Sequence, residues 1–177
     1  MGSTRLQDTP VLWSVLGDYE ASIAESSHRF SFPAVNFDDD SMLVLVIDGS
    51  SSASFNLGIR FNKNSSSYFV DGRRITGGGQ TLIDLNGQTF GQIASTSVIA
   101  GVDRPFSSEI YIHLNKAGAI KRINCNYMTM GGQIGIQEVA TVTLLVNKTN
   151  VTDIDILTST STWKIGTRMT LYKVARK

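Results

Sequence analysis

The chain has 177 residues, enough for one domain that buries most of its apolar surface without metals or disulfides. Its charged share is 18%, below the usual value of about 25%, and Ser, Thr, Asn and Gly fill the deficit, a composition suited to strands and turns rather than long helices. A net charge of +1 argues against a nucleic-acid partner, the lone Cys125 rules out an intramolecular disulfide, and no apolar run approaches the roughly 20 residues of a membrane helix.

The first 27 residues read as an N-terminal docking arm, and residues 28–177 as an antiparallel β-sandwich of jelly-roll type. Within the arm, Thr9 and Pro10 resemble the N-cap and first residue of a short helix that Gly17 would stop. Val11, Leu12, Trp13 and Leu16 are its candidate partner-docking residues. A free helix this short is unstable and needs a surface to pack on.

From residue 28 the hydrophobic period is two. Phe30 and Phe32 alternate with Arg29, Ser31 and Pro33; Leu57, Ile59 and Phe61 alternate with Gly58, Arg60 and Asn62. Met42 to Ile47 is apolar at every position, the mark of a strand covered on both faces. Asn86-Gly87, after Leu82-Ile83-Asp84-Leu85, signals a hairpin turn, and Gly77-Gly78-Gly79 signals another. Further alternating runs centre on Ile110, Val142, Ile154 and Met169. Eight to ten strands are expected, with no helix between them.

Few residue clusters suggest chemistry. Asp38-Asp39-Asp40 lacks the spacing of a calcium loop and reads first as a solvated turn, with a cation site as the alternative. His28 and His113 are the only histidines, too few for zinc, so no metal and no cofactor is expected. No Gly-x-Ser-x-Gly elbow is present. Asp153 and Asp155, on one face of a strand, are the nearest approach to a glycosidase pair. Tyr68, Arg73, Arg74 and Tyr111 are the candidate ligand-binding residues, because exposed aromatic rings and arginines beside a Gly-rich loop are common anchors. Tyr19, Tyr127 and Trp163 are further aromatic candidates.

Arg60-Phe61-Asn62, a Ser/Asn-rich turn and Tyr68 resemble a pattern found in small structural proteins of tailed bacteriophages. So do Thr152 to Ile156 as penultimate strand and Trp163-Lys164-Ile165-Gly166-Thr167 with Met169 to Tyr172 as closing strand, although Lys173 stands where that pattern has Gly. The resemblance spans roughly residues 28 to 174. It implies a non-enzymatic virion protein on the particle surface, homo-oligomeric with a trimer favoured, and made in the host cytoplasm, consistent with the lack of a signal-peptide pattern. Two roles compete. One is a tail or adhesion protein that presents residues 62–79 and 101–108 to host-surface glycans. The other is a capsid decoration protein that stabilises the head shell. In either, the arm contacts other virion proteins.

Overall fold

The computed structural model describes residues 11–36, 41–51, 56–66, 68–76, 79–95, 104–113, 120–129, 136–145, 150–158 and 161–176. The Asp38–Asp40 cluster lies outside them. The described residues form β-strands and turns without a helix. In chain order the strands are β1 (Val11–Glu20), β2 (Ser27–Asn36), β3 (Ser41–Ser51), β4 (Asn56–Phe61), β5 (Tyr68–Thr76), β6 (Gly79–Gln88), β7 (Gly91–Ser95), β8 (Arg104–His113), β9 (Ile120–Thr129), β10 (Ile136–Leu145), β11 (Asn150–Thr158) and β12 (Arg168–Arg176).

They form an eight-stranded sheet, β1-β12-β3-β8-β9-β10-β5-β6, and a four-stranded sheet, β2-β11-β4-β7. Setting aside two inserted hairpins, β5–β6 and β9–β10, leaves a ribbon of antiparallel pairs. The first strand pairs with the last, β1 with β12. Next come β2 with β11, β3 with β8 and β4 with β7. A long hairpin rolled so that successive pairs fall in alternate sheets is the jelly roll expected from the sequence. The inserted hairpins pair with β8 and with each other, and widen one sheet only.

The core lies between the sheets and follows from the alternation. Phe30, Phe32, Ile59, Phe61, Ile154 and Ile156 point inward from the four-stranded sheet; Leu43, Leu45, Ile47, Ile110, Ile112, Met169 and Leu171 meet them from the other. Each such side chain contributes roughly 1.5–3 kcal/mol through its removal from water. Trp163, fully buried, closes the core where Glu25 bridges to it, so it is no exposed binding ring.

Two local expectations do not hold. The helix expected after Thr9-Pro10 is absent: residues 11–20 are strand β1, paired with β12 along its length. Trp13 and Val15 favour extended backbone, and β12 supplies the hydrogen bonds that an isolated helix would lack. Leu16 and Tyr19 pack on the core, and Ala21 belongs to it, so residues 11–21 are part of the sandwich and not an arm detached from it. The hairpin expected at Asn86-Gly87 is instead a bulge inside β6. Gly87 has φ +64°, and the β5–β6 register slips there. The turn between β5 and β6 falls at the triglycine, where Thr76 opposes Gly79.

The all-apolar β3 divides its residues between faces. Leu43, Leu45 and Ile47 enter the core, while Val44 is buried on the outer face between its register neighbours Tyr172 and Tyr111. Met42 and Val46 are half-buried there. No further layer lies over this face among the described residues.

Candidate functional site

The outer face of the four-stranded sheet carries the most organised polar arrangement. On β2, β11 and β4 the inward positions are taken by Phe30, Ile154, Ile156, Ile59 and Phe61, so Arg29, Asp155 and Arg60 face outward. The register sets them in one row: Asp155 lies opposite Arg29 on one side and Arg60 on the other. Arg29 clasps Asp155 through two parallel bonds, Nε to Oδ1 at 2.5 Å and Nη2 to Oδ2 at 3.0 Å. A carboxylate only 6% exposed tolerates its charge because that fork neutralises it. The same hydrogen bonds hold the Arg29 guanidinium further toward its charged form, raising its pKa.

Arg60 is placed differently. Its Nε donates to the carbonyl of Thr89 at 3.3 Å, at the β6–β7 connection. Both Asp155 oxygens are held by Arg29, and among the described residues Arg60 has no ion-pair partner.

The next row is apolar. Leu157 lies between Ser27 and Gly58. A Cβ at Gly58 would fall 2.2 Å from the ring of Phe90, so only glycine lets that ring lie against the strand. Charged and apolar rows together floor a groove of about 530 Å³, edged by the hydroxyl-bearing Ser26, Ser27 and Thr158. On the core-facing side of β2, the ring of His28 stacks on Tyr19 with centroids 3.6 Å apart and meets Phe30 edge-on. Burial lowers the His28 pKa, and the charge of Glu25 partly opposes this.

The residues singled out in the sequence do not form one site. Tyr68 is completely buried. Its hydroxyl accepts the N–H of Phe61 at 2.9 Å and donates to the carbonyl of Asn64 at 3.2 Å. It offers no exposed ring, which corrects the expectation that placed it at the surface. Asn62 has φ +47°, and its Oδ1 accepts the N–H of Thr152 at 2.9 Å. The Arg-Phe-Asn…Tyr pattern is thus a corner that locks β4 to β11 where the chain crosses from one sheet to the other.

Tyr111 sits on the outer face of the eight-stranded sheet, half-buried, and its hydroxyl donates to Glu109 at 2.9 Å. That bond raises its pKa. Arg73 and Arg74 lie on β5 opposite Leu82 and Thr81, so residues 68–76 are strand rather than the expected presenting loop. The side chains of Arg73, Arg74, Tyr127 and Cys125 lie outside the described residues, as do those of Val11 and Leu12. Of the docking candidates, Leu16 turns to the core, while Trp13 is 55% exposed and meets Tyr172 edge-on at 5.5 Å. Val15, also exposed, extends that patch on the sheet's edge strand.

Asp155, offered as half of a carboxylate pair, is occupied by Arg29. Asp153 holds Thr152 through Oδ2 at 3.1 Å, and its Oδ1 is buried without a hydrogen-bond partner. No group of three metal-ligating side chains occurs among the described residues. Sequence reasoning saw Arg29, Arg60 and Asp155 only as polar positions in alternating strands. Their meeting depends on pairings across 126 residues of chain, for which local sequence has no signal. No protein-family model, curated protein or solved structure matches the chain.

Proposed function

We propose that the chain is a non-enzymatic structural protein of a tailed-phage virion, part of the tail or adhesion apparatus, and that it binds host-surface glycans on the outer face of its four-stranded sheet. The observation that carries the binding role is the groove whose floor pairs a charged row with an apolar one. A sugar ring has the matching character, with hydroxyls at its edge and C–H groups on its face. Arg29, held in place by Asp155, is prearranged to meet hydroxyls, and Leu157 to meet the ring face. The fork on Asp155 favours binding over hydrolysis, since a carboxylate held at both oxygens is a poor acid or nucleophile. The virion assignment rests on the sequence resemblance, and a jelly roll suits it because that architecture serves both capsid and lectin domains. Oligomerisation, with a trimer favoured, would multiply weak sites into avid attachment.

A second reading, a capsid decoration protein, is favoured by one observation. Trp13 and Val15 stay exposed on β1, the outermost strand of its sheet among the described residues, an apolar surface suited to a shell neighbour. Purified protein offered to host envelopes and to undecorated capsids separates the two. Binding to envelopes, competed by surface glycan, supports attachment. Saturable binding to capsids at lattice stoichiometry, with none to envelopes, replaces it with decoration.

A further inference from the structure

The geometry points to a carboxylate-bearing sugar, of the hexuronic type, as the ligand of the groove between β2, β11 and β4, with Arg60 as the residue that recognises the carboxylate. The inference rests on the glycan-binding reading above and narrows it to an acidic class.

Two guanidinium groups and one carboxylate line the groove, a local excess of one positive charge. The excess lies on Arg60, because Arg29 already holds both oxygens of Asp155. Asp153, the other outward carboxylate of β11, acts on Arg29 through its charge but is not among the lining residues, and Arg60 remains without a carboxylate of its own among the described residues. Arg60 is also positioned in advance. The bond from its Nε to Thr89 fixes one corner of the planar group and leaves its terminal nitrogens for a ligand. A guanidinium fork matches a planar carboxylate in two parallel bonds, as Arg29 and Asp155 display beside it.

The rest of the floor selects a sugar over a simple anion. Leu157 lies next to Arg60 along the sheet, one row on, and is the apolar side chain that lines the groove. A small inorganic anion would leave that apolar row uncovered. A pyranose carrying its carboxylate on the ring would cover the row with its C–H face while the carboxylate reaches Arg60. Ser27 is then at the edge where ring hydroxyls emerge.

The test is calorimetric titration of the full chain with a hexuronate oligosaccharide and with the same oligosaccharide after its carboxylates are reduced to hydroxymethyl groups. We expect the reduced form to bind about tenfold more weakly, as for loss of one charge-assisted hydrogen-bonded contact. Arg60→Gln should abolish that difference, and Arg60→Lys should keep part of it; thermal midpoints check that each variant is folded. Equal binding of both sugars to the wild-type chain overturns the acidic assignment and leaves glycan binding standing. A preference for the uronate that survives in Arg60→Gln overturns the role of Arg60. Binding of neither these nor neutral host-surface glycans overturns the glycan reading itself, and this inference with it.

Discussion

The hydroxyl of Tyr68 accepts the backbone N–H of Phe61, seven residues earlier, across the corner where the chain leaves the four-stranded sheet. Phe61 is only 4% exposed and this bond is buried, so its N–H has no water to turn to, and the tyrosine oxygen satisfies it. Tyr68→Phe keeps the ring and strands the donor. The expected loss is about 1–3 kcal/mol of unfolding free energy, measured by denaturant titration. A change below the error of that titration would show that the corner is held by packing alone.

The same residue sets an alkaline limit. Burial pushes the Tyr68 pKa up to about 12 from an ordinary 10.0. The unfolded chain therefore releases this proton first, and the stability it represents, complete below pH 10.0, is lost as pH climbs to about 12. Unfolding free energy should fall through that window in the wild type and fall less in Tyr68→Phe. Parallel curves for the two proteins would contradict the assignment.

His28 acts at the acid end. Burial beside Tyr19 and Phe30 depresses its pKa below 6.5, despite the opposing charge of Glu25. The unfolded state takes up the proton more readily, so this contribution is present above pH 6.5 and lost as pH falls through the depressed value. His28→Phe should reduce the stability drop that accompanies acidification below pH 6.5. An unchanged drop would assign it to other groups.

Gly17 sits at the bulge of β1, and a Cβ there would lie 2.5 Å from the ring of Phe30, itself only 4% exposed. Gly17→Ala should cost about 1–3 kcal/mol through overpacking. Part should return when Phe30→Leu removes the ring edge. Absence of coupling in this double-mutant cycle would place the cost in the backbone instead.

Strand β1 also bears on truncation. Removing residues 1–25 deletes the strand that covers the β12 edge and takes Ala21 from the core. We expect loss of the cooperative β signal in circular dichroism, with aggregation through the uncovered β12 edge. A folded, soluble product would show that β1 is dispensable and would restore the view of this segment as a detachable arm.

The sequence by itself determined the all-β sandwich, since a hydrophobic period of two written around Phe30, Ile59, Ile110, Ile154 and Met169 leaves each strand one face to bury. It also marked the triglycine turn, because chain reversal there is a local property of glycine. It misled at Val11–Glu20, where the helix-start signal of Thr9-Pro10 was outweighed by hydrogen bonds from β12, more than 140 residues away. It misled again at Gly87, where positive φ serves a bulge as readily as a turn. Tyr68 looked like a surface ring because its polar neighbours are exposed, and only the corner to Phe61 reveals its hydroxyl as a core partner. The candidate site was decided entirely by tertiary structure. Arg29, Asp155 and Arg60 come from three strands distant in sequence, and strand register, fixed by which faces bury their phenylalanines and isoleucines, is what brings two guanidinium groups to one carboxylate.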